Sequence, residues 1–439
     1  MKRLKKTLRW IELALVAGVA MVLMVNAWLV WTSTARLDYQ LATIRRAGDP
    51  TTLADLEPSP IPAAQNAATY LRQANAEISA IYKAMGKVPG ALPPSDSVCG
   101  SNAAAAAGAV TRILQAHAKV VPLLTQAAAC RDNNLELDYT LPPGESIAQS
   151  IKVAERYGAY VGVLLYGRAM PLLAEGRRDE AVRTMVQALQ LARQADHNPL
   201  LIGYLAMLRV RGWATDCIDV ALQTGPVSKP VRRALEAELA IQDRMQAYVW
   251  VLRSQRAAFL DEFKTIPHRQ DWFISRVMWN RQESACLETL AFDLAIAQDP
   301  RPYRDTAQLI AERPKTAWGV GGGMLPSIRV SQRLVALLRA KVRVLRVLNA
   351  IQEHPPAAGQ PPQLSELGLP AEAYTDPFTG EPLHVKRIMG GWLIYSVGEN
   401  YRDDGGSSKA PRDDVHAGEL PPAAGGVETT RRQSLAKPG

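Results

Sequence analysis

The sequence predicts a mainly α-helical protein with one N-terminal transmembrane helix, an extracytoplasmic bundle or stack of antiparallel helical hairpins, and a small C-terminal β-hairpin module. Three observations support this prediction. A basic head precedes a long apolar run at the N-terminus. Apolar residues then recur at three- and four-residue spacing through most of the chain. Two β-type segments flank a glycine turn near the C-terminus.

The first element is an apolar run over residues 10–31, which follows a basic head at residues 1–9. About 20 apolar residues suffice to cross a hydrocarbon core about 30 Å thick, so the run predicts a single-pass transmembrane helix. The head holds five basic residues, whereas only Arg36 follows the run closely. This asymmetry predicts a cytoplasmic N-terminus and a periplasmic body, anchored in the bacterial inner membrane.

Two features of the anchor leave alternatives open. Ser33-Thr34-Ala35 has the small residues of a signal-peptidase site, but the apolar part of a signal peptide is usually only about 7–15 residues long. The longer run favours an uncleaved anchor, and the body is exported in both cases. Glu12 lies just inside the apolar run, where a carboxylate is costly unless it reaches the headgroup region or pairs with a partner.

The composition limits the classes of partner that the chain is expected to bind. It has 439 residues, 47% of them apolar, which is enough for a sizeable core. A net charge of +9 is compatible with nucleic acid or anionic lipid. The basic residues, however, lie in the N-terminal head and along the predicted helices, without a recognised nucleic-acid motif. We therefore expect no nucleic-acid partner; the expected partners are the lipid bilayer and another envelope protein.

The four cysteines suggest at most one disulfide. Cys99 and Cys130 flank a single helical segment of an exported body, so a disulfide between them would be permitted. Cys217 and Cys286 lie in apolar helical patterns, where a buried small hydrophobic residue is the simpler interpretation. The absence of a Cys-x-x-Cys pair argues against a redox dithiol and a zinc ribbon.

Residues 32–60 are rich in proline and are predicted to be a stalk or linker, and residues 61–354 are predicted to form an all-α domain. Apolar periodicity predicts its helices over residues 62–85, 103–130, 145–175, 199–223, 228–264, 270–298 and 326–353, and a further helix that begins at Asp179 and includes Leu189. Gly176 is expected to end one helix, and residues 299–325 are predicted to be a loop. The basic residues of the last helix are expected on a solvated face; a lipid-binding face is the alternative. They are Arg329, Arg333, Lys341, Arg343 and Arg346.

A change of pattern marks the C-terminal part of the chain. Prolines at residues 355–363 predict a linker, and residues 364–415 predict a small β module. Its two strands, Leu383–Ile388 and Trp392–Val397, are joined through Met389-Gly390-Gly391, a tight hairpin turn. Residues 416–439 are rich in proline, glycine and charge, which predicts a disordered tail.

Three short motifs lie in this module, in a fixed order. They are Asp376-Pro377-Phe378-Thr379-Gly380, Tyr395-Ser396-Val397-Gly398 and Asp403-Asp404-Gly405-Gly406. This C-terminal end resembles that of the major pseudopilins of type II secretion. It is also similar to uncharacterised, membrane-anchored bacterial proteins, often planctomycetal, that carry the same elements after a long helical region. The resemblance covers about 50 residues, together with Glu12, which resembles the pilin glutamate that pairs with a neighbouring subunit's amine.

The resemblance implies a calcium ion in the loop that follows the hairpin. Calcium takes six to eight oxygen ligands, including carboxylates and backbone carbonyls. The carboxylates that the resemblance assigns to the ion are Asp403, Asp404, Asp413 and Asp414. Arg402, Lys409 and Arg412 lie in the same loop and would weaken a cation site. The alternative is a solvated acidic and basic turn, held by Asx hydrogen bonds without a metal ion.

The sequence contains no recognisable catalytic motif. No histidine pair has the helical spacing of a zinc site, and Gly-x-Ser-x-Gly is absent. We therefore expect a membrane-anchored, non-enzymatic interaction or assembly protein of the cell envelope. One alternative is a pseudopilus-like component, which would need Glu12 and processing near Thr7. Another is an envelope enzyme whose site is assembled from residues far apart in the sequence.

Overall fold

The computed structural model of the chain describes residues 2–91, 103–265, 273–312, 328–353, 361–388, 391–407 and 414–417. Helices account for 71% of the structure, one long apolar helix lies at the N-terminus, and a three-stranded antiparallel sheet lies near the C-terminus. The predicted fold class is therefore confirmed.

Helices follow one another along the described residues, and most are joined by short connections that favour antiparallel neighbours. Their bounds are α1 (Lys2–Arg46), α2 (Ala67–Met85), α3 (Ala103–Ala116), α4 (Val120–Ala129), α5 (Pro143–Gly162), α6 (Met170–Ala174), α7 (Arg178–Arg193), α8 (Leu201–Gln223), α9 (Lys229–Gln242), α10 (Gln246–Thr265), α11 (Phe273–Gln298), α12 (Tyr303–Ala311) and α13 (Ile328–Glu353). A π-helical segment, Val163–Ala169, connects α5 to α6.

α1 is long and apolar enough to cross a membrane: its most apolar window has a mean hydropathy of 2.4 and no buried residue. The helix does not end with the apolar run but continues through the first part of the predicted stalk to Arg46. This extension packs against α10 and α11, where Leu37 and Ile44 form a buried cluster with Leu260 and Leu287. The apolar run and the helical body are therefore joined by one continuous helix.

The helical body buries one large apolar core. α5 and α8, α7 and α8, and α7 and α9 pack side by side around fully buried residues such as Leu164, Met185 and Met207. The turn between α6 and α7 is made at Gly176, whose φ of +77° is a conformation that favours glycine, and the helix ends there as predicted. Cys217 and Cys286 are fully buried, as expected for small hydrophobic residues.

Three local predictions were wrong. The helix predicted over residues 228–264 is two helices, because the chain breaks after Gln242 and resumes at Gln246. The predicted loop 299–325 contains α12, which Pro302 precedes. The expected solvated face of α13 is solvated only in its first part: Arg329 and Arg333 are exposed, whereas Arg343 and Arg346 are 5% and 3% exposed. Both buried arginines pair with carboxylates of α9 and of the turn that follows it.

The C-terminal module packs on α13 through its sheet. Strands β1 (His384–Ile388) and β2 (Gly391–Ser396) form the predicted antiparallel hairpin, with Val385 opposite Ile394. A third strand, β3 (Val415–Ala417), was not predicted; it pairs with β2 and includes His416, which had been assigned to the tail. The rest of the tail, residues 418–439, lies outside the described residues.

Candidate functional site

The first motif of the C-terminal module is organised by the carboxylate of Asp376, which is 1% exposed. One carboxylate oxygen accepts hydrogen bonds from Phe378 N and Ser396 Oγ, both at 2.8 Å. The other accepts from Val397 N at 3.0 Å. Asp376 therefore ties the turn that follows it to the end of β2. A structural role explains why Asp-Pro-Phe and Tyr-Ser-x-Gly occur together in this chain.

Three of the four aspartates assigned to calcium lie in the loop between β2 and β3. Asp403 Oδ1 accepts hydrogen bonds from Tyr395 OH and Gly405 N, both at 2.9 Å. Asp404 accepts from Asn400 Nδ2 at 2.8 Å. Asp414 Oδ2 accepts from the backbone N–H groups of Asp404 and Gly406 at 3.1 and 2.7 Å. Among these contacts, the hydrogen bond from Gly405 N to Asp403 Oδ1 is an Asx turn.

Glycine is required within this loop. Gly405 and Gly406 have φ angles of +70° and +86°, which favour residues without a Cβ atom. A Cβ atom added to Gly406 would lie 2.5 Å from Leu393 Cδ2, so the loop backbone lies directly on β2. The two glycines thus allow the loop to fold tightly against the sheet.

Asp414 is the most perturbed carboxylate of the loop. Burial raises its pKa to about 6, and the nearby charges of Asp404 and Asp403 act in the same direction. Its Oδ1 atom is buried and has no hydrogen-bond partner in the described part of the chain. His416 lies two residues further on, and burial lowers its pKa. This end of the module therefore holds a carboxylate with one unused acceptor.

The described residues do not assemble the predicted metal site. They contain no group of three or more His, Cys, Asp or Glu side chains that could hold a metal ion. Asp413, the fourth predicted ligand, lies outside them, as do Lys409 and Arg412. Calcium at Asp403, Asp404 and Asp414 therefore stays a prediction, since it needs ligands from the part of the loop that is not described.

A second site was not predicted from the sequence. A cleft of about 1120 Å³ lies between the helical body and the C-terminal module. The turn after α7, the start of α10, the end of α11, the middle of α13 and the segment before β1 all contribute to it. Its arginines are Arg131, Arg193, Arg253, Arg301, Arg339 and Arg343.

A buried ion network forms one wall of this cleft. Asp243, in the break between α9 and α10, accepts hydrogen bonds from Arg343 Nε to both carboxylate oxygens at 3.0 Å. Arg339 Nε donates to the same carboxylate and to the Asp243 carbonyl, both at 3.0 Å. Arg343 also donates to the Thr375 carbonyl at 2.7 Å. The network therefore joins the helix break, α13 and the module.

Several arginines of the cleft keep unused donors. Arg193 and Arg339 each use only Nε, toward Glu238 and Asp243, although a guanidinium has five N–H donors. Arg131 is exposed and has no ion-pair partner among the described residues. The terminal nitrogens of such side chains can receive carboxylate or phosphate oxygens, so the cleft has the chemistry of an anion-binding surface.

Of the carboxylates that line the described cleft, Asp196, Asp299 and Asp376 are engaged, whereas Glu372 is exposed. Asp299 is held by Arg301 through Nε at 3.0 Å, and Asp196 pairs with the buried Arg211. His197 packs edge-on against Trp250, with ring centroids 5.4 Å apart, and burial lowers its pKa. No serine or cysteine lines the described cleft. The lining favours binding of an anion over nucleophilic or acid–base chemistry.

Of the other predicted site residues, the structure describes the side chain of Cys130 alone, and Cys130 does not line the cleft. Cys130 is half buried, and its Sγ donates to Gln126 O at 3.3 Å. Cys99 lies outside the described residues, so the proposed Cys99–Cys130 disulfide stays a prediction. Glu12 lies on α1, and its side chain is not described. Its assembly role also stays a prediction.

The cleft could not be predicted from the sequence because its six arginines come from five separate segments. The only local signal was the density of arginines on α13 beside Glu236 and Glu238 of α9. That signal was interpreted as a solvated surface, but Glu238 is buried and pairs with Arg193, and Glu236 pairs with Arg346. The chain matches no protein-family model, and no curated protein or solved structure is significantly similar to it.

Proposed function

We propose that this protein is a membrane-anchored, non-enzymatic interaction or assembly protein of the cell envelope. One observation carries the proposal: α1 is a single 45-residue helix. Its exposed apolar part extends from Trp10 to Trp31, and its remaining part packs on the body. Because the helix is continuous, it sets the distance and orientation of the body relative to the bilayer. This suits a protein that holds a partner at a fixed distance from the membrane.

The inner membrane is the proposed location, with the N-terminus in the cytoplasm and the body in the periplasm. Support comes from the basic head, since Lys and Arg near a span are retained on the cytoplasmic side. Among the described residues, the body has its own large core, and the part of α1 that follows the apolar run packs against it. The body can therefore lie entirely on one side of the bilayer.

The proposed partner is an envelope protein that presents an acidic segment to the arginine-lined cleft. The unused N–H donors of Arg131, Arg193 and Arg339 support this class of partner, because paired guanidinium donors suit carboxylates. The cleft volume of about 1120 Å³ is large enough for a short stretch of side chains. The helical body then acts as a scaffold that presents the cleft.

The test is capture of partners by the full-length protein from detergent-solubilised envelope, with two matched variants. Arg131→Glu reverses an exposed, unpaired charge in the cleft. Arg112→Glu reverses an exposed charge on α3. A specific partner should be captured at least about fivefold less by Arg131→Glu than by the wild type, and equally by Arg112→Glu. Equal capture by all three proteins would contradict the role of the cleft.

Calcium binding by the C-terminal loop is a second proposed property, supported by the buried, unpartnered Oδ1 atom of Asp414. A divalent cation would supply the missing partner and offset the burial of the charge. Thermal unfolding of the full-length protein, with and without millimolar calcium, tests this idea. We expect calcium to raise the melting temperature of the wild type and not that of Asp414→Asn. An unchanged melting temperature of the wild type in calcium would contradict calcium binding by the loop.

A further inference from the structure

The packing of α11 beside α1 places one end of the helical body at the level of the membrane surface. Asn280 Nδ2 donates to Thr34 Oγ1 at 3.0 Å. Further along, Gln40 Nε2 donates to Ser284 O and Glu288 Oε1, both at 3.2 Å. The partners on both helices advance in the same direction, so α1 and α11 are parallel in this region. The start of α11 therefore points toward the apolar part of α1.

The register between α1 and α11 gives the depth of the α11 residues along the membrane normal. Residues 10–31 of α1 are about 33 Å long as a helix, which matches a hydrocarbon core. Thr34 lies three residues beyond Trp31, about 4–5 Å along the axis, within a headgroup layer about 5–7 Å thick. Because Asn280 is level with Thr34, the residues of α11 before Asn280 lie level with the end of the apolar run.

The side chains at this level suit the boundary of a bilayer. Met278 is 56% exposed although it is a large apolar residue, and Trp28 and Trp31 on α1 are also exposed. Arg276 and Arg281 are exposed on either side of Met278 in sequence. Neither arginine has an ion-pair partner in the described part of the chain. The end of α10 lies at the same depth as these residues of α11, because Phe263 of α10 contacts Trp279 of α11, with ring centroids 6.2 Å apart.

We propose that residues 276–281 of α11 form a second membrane contact, in which Arg276 and Arg281 bind the phosphate groups of anionic phospholipids and Met278 enters the acyl boundary. The inference rests on the proposed role of α1 as the membrane anchor. Arginine binds phosphate oxygens through paired donors, and basic side chains near an anionic leaflet are attracted to it. Two contacts on adjacent helices would fix the tilt of the body relative to the bilayer.

The experiment uses the full-length protein in lipid nanodiscs made of phosphatidylcholine alone or with phosphatidylglycerol. Amide hydrogen exchange over residues 276–281 reports occupancy of the contact. We expect slower exchange of these amides in the discs that contain phosphatidylglycerol. Arg276→Gln with Arg281→Gln should abolish the difference, because loss of the pair lowers affinity for the anionic lipid about 30-fold, the equivalent of about 1 kcal/mol per arginine.

The matched control is Arg112→Gln with Arg233→Gln, which removes two exposed arginines from α3 and α9. The control should retain the lipid-dependent protection of residues 276–281. Equal exchange of these amides in both kinds of disc, or a difference that survives in the Arg276→Gln, Arg281→Gln protein, would overturn the inference. Incorporation of the protein into the discs is measured separately. If the wild type did not incorporate at all, the proposed role of α1 as the membrane anchor would be refuted instead.

Discussion

At the scale of single residues, Asp376 shows how one buried carboxylate can define a module. Its three acceptor contacts link a turn to a strand that lies 20 residues further along the chain. A carboxylate suits this position because it offers only acceptors, and each of its neighbours there is a donor. Replacing either oxygen by an amide nitrogen leaves a buried N–H without an acceptor.

Asp376→Asn should therefore destabilise the module locally. An unsatisfied buried donor costs about 2 kcal/mol, which corresponds to roughly 30-fold faster hydrogen exchange of the β2 amides. The control is Glu381→Gln, which changes an exposed carboxylate of the same segment and should leave the exchange rates unchanged. Similar β2 exchange in the Asp376→Asn and wild-type proteins would show that the carboxylate does not hold the hairpin.

A second prediction at the scale of single residues follows from the raised pKa of Asp414. Because its pKa in the folded protein is about 6, above the ordinary value of 3.8, the fold favours its protonated form. Its contribution to stability is therefore complete below pH 4 and is lost as the pH rises through 6. Asp403 and Asp404 lie nearby, and the adjacent groove is also lined by charged or titratable groups: Arg209, Asp216, Asp219, Arg333, Lys341, Glu399 and His416.

Asp414→Asn keeps an acceptor oxygen but cannot ionise, so the variant should be more stable than the wild type at pH 7.5, by up to about 3 kcal/mol. At pH 4 the two proteins should unfold at similar temperatures. Thermal unfolding in metal-free buffer at the two pH values measures the difference. A stability difference that does not depend on pH would rule out ionisation of Asp414 as its cause.

At the scale of elements, α13 is the helix on which the rest of the body and the module meet. Asp243 lies in a helix break and receives two arginines of α13 by hydrogen bonds, while Arg346 lies 3.4 Å from the same carboxylate. Burial lowers the pKa of Arg343, and the charge of Asp243 opposes that shift. A buried charge of this kind is tolerated only while its partner is present.

Asp243→Asn should destabilise the whole body, because three arginines lose their shared countercharge. Breaking a buried pair in this way costs about 3–5 kcal/mol. Asp305→Asn is the control, since Asp305 pairs with Arg304 in an exposed contact worth at most about 1 kcal/mol. Chemical denaturation of both variants measures the difference. Equal losses would mean that the network contributes no more than a surface ion pair.

Helices and strands could be predicted from the sequence where a local sequence pattern determines them. The apolar periodicity located most helices, and the glycine turn and β-type residues located the hairpin. The break at Asp243 was missed because no proline or glycine marks it; contacts with α13 about 100 residues away stabilise it. α12 was missed because it is only nine residues long. The cleft was missed because ion-pair partners far apart in sequence leave no local pattern.

At the scale of the whole molecule, the protein combines an exposed apolar helix with a body that has its own core. The helix enters the body without a break, and Arg36 and Gln40 both contact Glu288 of α11. This continuity means that the orientation of the body follows from the orientation of the anchor. The proposed periplasmic cleft, the calcium loop and the lipid contact of α11 all depend on the side of the membrane that the body occupies.

Reporter fusions at the C-terminus test that dependence most directly. Alkaline phosphatase is active only after export, and green fluorescent protein fluoresces when it stays in the cytoplasm. The account predicts an active phosphatase fusion in the membrane fraction and a dark fluorescent-protein fusion, with phosphatase activity lost when residues 1–46 are deleted. A bright fluorescent-protein fusion together with an inactive phosphatase fusion would place the body in the cytoplasm and contradict the account.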